Sequence, residues 1–278
     1  MTVLPEAGSQ TASGLAEFKN PRSTADHSEF AALRVVGTKR LTPHIRRITF
    51  AGRNLHCFAT DEHLHVGLLL PPPGAPRKTW LNVQADGRAS LWNESPRPVN
   101  RKYTIRAIDP SMEQIDIDFV LHEDGGPGGA WAARAETGDL VGILGPGGRG
   151  LSSADWYLIA GDETALPAIR RMMDAMPDDA RGEVIIEVAD SREEQQFRVP
   201  PGMTLSWLHR NGTIAGRSDL LQNAVRAVRL PHDGRPFVWV GAEFEAVQQI
   251  RGHFKSTGLA KADQLVVAYW RRGIAEPC

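Results

Sequence analysis

The sequence predicts two halves of different class, an antiparallel β-barrel followed by an α/β half built on a parallel sheet. Three observations carry that reading. Residues from about 30 to 145 hold many short β-branched runs separated by Gly, Pro, Asn and Asp, the pattern of a barrel or sandwich. After GPGGRG at 145–150, strand patterns alternate with helix patterns, which implies parallel strands covered on both faces. The chain has 278 residues, 41% of them hydrophobic, enough for about two domains with a core each.

Taken in order, residues 1–28 are rich in Ser, Thr, Ala and charge without periodicity, and read as a disordered tail. Residues 29–150 then supply the barrel strands. These are LRVVG (33–37), IRRITFA (45–51), HLHVGLLL (63–70), KTWLNVQ (78–84), RKYTIRAI (101–108), QIDIDFVLH (114–122) and DLVGILG (139–145). One short helix, GAWAARA (129–135), interrupts them. Residues 151–278 supply the α/β half. Its expected strands are WYLIAG (156–161), EVIIEVA (183–189), MTLSWLH (203–209), FVWVGA (237–242) and QLVVAYW (264–270). Helices are expected over 164–176, 218–230 and 243–256, the second capped by the Ser218 hydroxyl.

Composition narrows the function. Lys plus Arg is 32 against 33 for Asp plus Glu, so no global field draws the chain to nucleic acid or an anionic membrane. No apolar run approaches the roughly 20 residues of a membrane helix. The first residues lack the basic and apolar regions of a signal peptide, and Cys57 and Cys278 are the only cysteines. A cytoplasmic protein without disulfides or a cysteine metal site is expected, acting on a small molecule as a monomer or weak dimer.

Four constellations suggest chemistry. In Arg101-Lys102-Tyr103-Thr104-Ile105-Arg106, a strand puts Arg101 and Tyr103 on one face and Thr104 on the other. An Arg fork suits a diphosphate, an aromatic ring a flat heterocycle and a hydroxyl its edge, although an exposed strand of mixed charge fits the pattern equally. Asp118-Phe119-Val120-Leu121-His122 runs into Gly125–Trp131, where glycines and helix-start amides permit close approach of a phosphate. Gly161-Asp162-Glu163-Thr164-Ala165-Leu166-Pro167 follows a buried strand, at the carboxyl edge of a parallel sheet where ligands bind. Its two acids argue against a plain phosphate cradle, and Asp162 and Thr164 also suit helix caps. Ala268-Tyr269-Trp270-Arg271-Arg272-Gly273 ends the last strand, where its aromatic pair would face a crevice between the halves.

In this order and at these places, R-x-Y-T-x-R, D-F-V-x-H with G-G-P-x-x-x-W-A, G-D-E-T-A-L-P-A-I and Y-W-R-x-G resemble the siderophore-interacting protein family, flavin-dependent ferric-siderophore reductases, over about residues 30–273. The resemblance implies a ferredoxin-reductase-like fold holding FAD. It implies that Arg101, Tyr103 and Thr104 hold the flavin and its diphosphate. Phe119, Val120, Leu121 and His122 would cradle the rest with Gly128, Gly129 and Trp131. Asp162, Thr164 and Ala165 would close the site with Trp270, while His65, Arg271 and Arg272 would meet the substrate. NAD(P)H or a reduced ferredoxin is the implied donor, with Gly241 to Glu245 at the nicotinamide turn. Separately, after the EVIIEVA strand, Asp190 would suit a ribose hydroxyl and Arg192 a 2′-phosphate, which leaves NADH and NADPH equally open.

The sequence also departs from that family. Gly67 stands where a basic residue is expected near the barrel mouth, and Ala130 where another precedes the Trp. At an effective dielectric of ~20, a cation ~6 Å from a unit anion contributes ~3 kcal/mol before screening. Even ~1.4 kcal/mol is tenfold in affinity. A triscatecholate-type anion is therefore expected to bind poorly unless His63, His65 or Arg77 compensates.

The leading expectation is an FAD-dependent NAD(P)H oxidoreductase whose flavin passes electrons to a ferric chelate. Outer-sphere transfer needs no general acid, so no catalytic side chain is nominated. Two alternatives are a flavin-binding enzyme of secondary metabolism acting on an apolar organic substrate, and a non-enzymatic flavin- or siderophore-binding protein.

Overall fold

The computed structural model describes residues 29–84, 89–91, 97–121 and 126–274. The expected tail at 1–28, the candidate His122 and Cys278 lie outside the described residues.

The first half comprises β1 (Glu29–Arg40), β2 (Ile45–Ala51), β3 (His65–Leu70), β4 (Leu81–Val83), β5 (Ala89–Leu91), β6 (Val99–Thr104), β7 (Ala107–Asp109), β8 (Gln114–Val120), the helix α1 (Pro127–Ala133) and β9 (Leu140–Gly147). Seven strands form an antiparallel sheet in the order β6-β3-β9-β1-β2-β8-β7, and β4 and β5 pair as a hairpin beside it. The two ends of that order, β6 and β7, are consecutive in the chain. The run 101–108, expected as one strand, instead breaks at Ile105 and Arg106 and changes partners. The Ile105 amide donates to Leu64 O and the Arg106 amide to Asp116 O. The sheet thereby curls until its ends meet. Alternation puts Leu33, Ile48, Phe50, Leu68, Ile117 and Phe119 inside, all fully buried.

The second half comprises β10 (Trp156–Asp162), α2 (Leu166–Ala175), β11 (Arg181–Val188), β12 (Gly202–His209), α3 (Leu220–Ala227), β13 (Pro236–Glu243), α4 (Phe244–Ser256) and β14 (Gln264–Trp270). All five strands are parallel, in the order β12-β11-β10-β13-β14. Ile159, Val184, Ile186 and Trp239 pack on one face against Ile169, Met172 and Met173 of α2. Leu158, Ile185 and Val240 pack on the other against Leu221, Val225, Val247 and Phe254 of α3 and α4. Burial on both faces is why these strands read as continuous apolar runs. The helix expected at 218 starts two residues later. Asp219 is its N-cap residue, and the Ser218 hydroxyl still accepts the Leu220 amide at 3.1 Å. The helix expected over 129–135 starts two residues earlier, at Pro127, whose fixed φ suits a first helical position.

The halves are stitched together by buried and half-buried polar contacts. Arg171 of α2 donates to the carbonyls of Ile105 and Thr60. Arg106 pairs with Asp174 at 2.9 Å. Glu193, after β11, reaches across to accept from the Thr42 hydroxyl (2.5 Å) and the His44 amide (3.1 Å).

Candidate functional site

On the barrel side, β6 lies antiparallel to β3, with His65 opposite Thr104, Gly67 opposite Lys102 and Leu68 opposite Arg101. Tyr103 packs on Phe119 with ring centroids 4.5 Å apart, and Phe119 packs on Trp131 at 5.8 Å. This aromatic file joins β6, β8 and α1. Gly128 is required by it, because a Cβ there would sit 2.0 Å from the Tyr103 hydroxyl. Gly129 lies under the Val120 carbonyl, 3.1 Å from where its Cβ would be. The Leu121 amide donates to His44 O at 2.7 Å and fixes the strand end. Arg101 donates to its neighbour's carbonyl, Asn100 O, at 2.6 Å.

These residues fit a flavin dinucleotide. The first-turn amides of Gly128 and Gly129 have no intrahelical acceptor by geometry, and among the described residues nothing beyond its chain neighbours lies within 4 Å of the Cβ position of Gly126. Asn100 Oδ1 and Trp131 Nε1 are buried polar atoms without a hydrogen-bond partner among the described residues. A polar ligand at this surface would supply what they lack.

The cations behave differently from expectation. Burial, with the charges of Lys102 and His63, pushes His65 down to about 4. Its ring lies against Gly147 and Gly148, the latter at φ 82° where a side chain would be strained and would collide with the imidazole. His65 is therefore neutral at physiological pH and offers no charge to an anion. Arg77 is committed to Asp139 at 2.6 Å and to the Arg134 carbonyl. The position that Gly67 leaves without a side chain has Lys102 opposite it in register, exposed on the neighbouring strand. Sequence reading passed over Lys102, whose signal was its place between Arg101 and Tyr103. Asp190 and Arg192, expected to choose between ribose and 2′-phosphate, pair with each other at 2.7 Å.

On the parallel side, the carboxyl ends of β10, β13 and β14 converge. Asp162 Oδ1 accepts the Thr164 amide at 2.9 Å and the Thr164 hydroxyl. Its Oδ2 accepts the Glu243 amide at 3.0 Å and Trp270 Nε1 at 2.8 Å. Burial, reinforced by the charge of Glu163, pushes Asp162 up to about 7 against those donors. Glu243 falls within the turn at Gly241 to Glu245 expected near the nicotinamide, but its hydrogen-bonding role is not legible in the sequence, where an acid between a buried strand and a helix is its only signal. It caps α4 by accepting the Glu245 amide, and it accepts the Arg272 amide at 3.1 Å. Ala165 packs directly on Gly161, where a Cβ would come within 2.6 Å of its own. Glu163 turns away from this group. Arg210 grips it with two bonds of 2.7 Å and touches Glu187 at 3.4 Å, all three buried.

The halves meet where Thr104 of β6 interacts with the Tyr269 phenol of β14, which burial pushes up. Asp162, Thr164, Glu243, Trp270 and the Arg272 backbone thus form one chain of contacts, with Thr104 and Tyr269 at the seam between the halves, and Tyr103, Phe119, Gly128 and Trp131 form a second. Arg271 does not join the first chain: its guanidinium lies 4.5 Å over the Phe244 ring.

Residues 34–150 match the family model described as a siderophore-interacting FAD-binding domain, and residues 154–273 match that of the siderophore-interacting protein. The chain belongs to the siderophore-interacting protein family. Among relatives, the ferric vibriobactin reductase ViuB of Vibrio cholerae is 32% identical over 86% of this chain and 88% of its own. An NADPH-dependent ferric-chelate reductase of Escherichia coli is 26% identical over 90% and 96%. The crystal structure of a siderophore utilization protein from T. fusca superposes with a TM-score of 0.78 at 40% identity, covering 88% of this chain and 94% of that one. A ferredoxin reductase of a carbazole dioxygenase system shares the fold alone, with a TM-score of 0.62 and 11% identity. The ferredoxin-reductase-like architecture is thereby shown, and a flavin-dependent, ferric-reductase-like role is supported. Among the described residues no helix is long and apolar enough to cross a membrane.

Proposed function

We propose that this chain is an FAD-dependent reductase of ferric siderophores that draws its electrons from NAD(P)H in the cytoplasm. The observation that carries the reading is the Thr104–Tyr269 contact, which joins the flavin-type strand of the barrel to the carboxyl edge of the parallel sheet. Tyr103 and Thr104, on opposite faces of β6, would hold the flavin ring at that seam, beside the kind of sheet edge where a nicotinamide ligand docks in open α/β folds. Bound FAD supplies conversion of a two-electron hydride donor into single electrons for ferric iron.

The chain's residues bind and orient. Arg101 suits the diphosphate, Gly128 and Gly129 admit it to their amides, and Phe119 backs Tyr103. Lys102 on the barrel side and Arg272 on the sheet side carry positive charge for an anionic chelate, so Lys102 offsets the cation lost at Gly67. The E. coli relative's name points to NADPH as its donor, and the same cofactor class is proposed here without a preference between the two nucleotides.

Anaerobic stopped-flow absorbance of the FAD-loaded protein tests this. NADH or NADPH should bleach the flavin, and a ferric siderophore should restore its colour within a turnover. A flavin that binds tightly yet is reduced by neither nucleotide sinks the donor assignment. Reduced flavin that no ferric chelate reoxidises faster than a blank sinks the substrate assignment.

A further inference from the structure

The carboxyl ends of three neighbouring strands carry two buried acids that no cation holds among the described residues. Asp162 ends β10, Glu243 ends β13 and Trp270 ends β14. The Trp270 side chain runs back over Gly216, close enough that a Cβ there would touch the indole at 3.1 Å and Glu243 Cγ at 2.9 Å. Gly216 at φ 72° is thus the floor on which both rest. Asp162 reaches past β13 to accept the indole N–H at 2.8 Å, and Glu243 accepts the Arg272 amide at 3.1 Å. Both carboxylates are nearly inaccessible, and among the described residues neither has a cation at ion-pair distance. Every donor they accept from is neutral: backbone amides, one hydroxyl and one indole.

We propose that Asp162 and Glu243 are positioning residues, which fix the Trp270 indole and the Arg271–Arg272 backbone and thereby set the affinity of this edge for an anionic ferric chelate over a neutral one. The proposal rests on the reductase reading for its substrate class. The geometry gives each acid a separate hold: Asp162 the ring, Glu243 the turn that follows it. An acid is needed at both places because each of its oxygens meets a donor. An amide would turn its own N–H2 toward one of those donors and must give up that contact. The ionised form of Asp162 satisfies all four of its donors, whereas a proton on either oxygen displaces one. Asp162 is pushed up to about 7 by burial and by Glu163. The charged or titratable groups around it are Glu163 on its own turn, Glu243 from β13, Tyr269 from β14 and Arg210 beyond β11.

Asp162→Asn and Glu243→Gln in the FAD-loaded full chain test this, read against gallium(III) complexes of a tris-catecholate and of a neutral tris-hydroxamate. Gallium complexes bind without redox, so the result does not depend on electron transfer. Each variant should weaken binding of the anionic complex by about tenfold and leave that of the neutral complex within about twofold, a loss of one buried hydrogen bond. The indole N–H resonance of Trp270, identified by its absence in Trp270→Phe, should titrate near pH 7 in the wild type and lose that titration in Asp162→Asn. An unmoved indole resonance in Asp162→Asn overturns the anchor. A shifted resonance with an unchanged anionic-to-neutral ratio in both variants overturns the link to affinity, as does a wild type that binds neither complex. A wild type that binds the gallium complexes as expected but reduces no ferric chelate leaves the positioning role standing and removes the reductase reading instead.

Discussion

Glu163 and Asp162 are neighbours in sequence at the end of the same strand, yet they are handled in opposite ways. Glu163 is clamped by Arg210, which also faces Glu187, while Glu187 accepts the Leu221 amide at 3.0 Å. Asp162 has only neutral donors. A buried carboxylate beside a guanidinium is balanced in charge and costs little to keep ionised once formed. A buried carboxylate among dipoles keeps most of its desolvation penalty, which is why Asp162 stands near 7. The first arrangement locks β10, β11 and the chain after β12 together. The second leaves a group whose state changes near neutrality at the edge where ligands dock. Adjacent residues therefore divide into scaffold and site.

The largest effect should come from breaking the scaffold side. Arg210→Met leaves two buried acids without their cation and should cost about 3–5 kcal/mol in urea unfolding. The triple variant Arg210→Met, Glu163→Met and Glu187→Leu should recover much of that loss, since well-packed apolar replacement of a complete buried ion group is often tolerated. A loss below about 1 kcal/mol for the single variant would show that Arg210 does not hold the two acids as a lock, and the contrast with Asp162 would collapse.

The next effect is a slope in pH. Asp162 has a folded pKa above its unfolded value, so between about 4 and 7 the native state binds the extra proton and stability rises as pH falls. His65 has a folded pKa of about 4, below its unfolded value of 6.5. Between those values the unfolded chain binds the extra proton, so stability falls as pH falls. The two contributions oppose each other over roughly pH 4 to 6.5. The wild type should therefore show a shallow profile in that window. His65→Gln should make stability rise on acidification, and Asp162→Asn should make it fall more steeply, each by roughly 1–3 kcal/mol across the window. Urea midpoints at four pH values read both, and parallel profiles for all three proteins would refute the assignment.

Much of this was legible in the sequence, for reasons that end at identifiable places. WYLIAG and FVWVGA announce parallel strands because both faces are buried, and Gly161–Ile169 announces a strand-to-helix turn at the ligand edge. The break in 101–108 was not legible, since it depends on where Leu64, just before β3, and Asp116 of β8 come to lie rather than on any turn residue. The hairpin partner β5 was missed because ASL carries too little pattern. In the site, the aromatic and glycine residues announce themselves through their type and spacing. Their partners do not, because Asp162 meets Trp270 across 108 residues and Glu163 meets Arg210 across 47. The neutrality of His65 is likewise a matter of burial and of Lys102 beside it, neither of which one strand reveals.

The smallest expected effect concerns the contact that joins the two regions. Tyr269→Phe removes one hydroxyl from the seam and leaves the ring in its edge-on packing with Trp239 at 6.0 Å. Its loss should cost only about 0.5–1.5 kcal/mol of global stability, the net worth of one hydrogen bond. Arg171 on two barrel carbonyls, Glu193 on the turn at Thr42 and Arg106 on Asp174 continue to hold the halves together. If Thr104 and Tyr269 serve the cofactor edge, FAD affinity should fall severalfold more than that stability change alone accounts for, as read by flavin fluorescence titration. Equal losses in stability and in flavin affinity would make the contact part of the scaffold, on the same side of the division as Glu163 and Arg210.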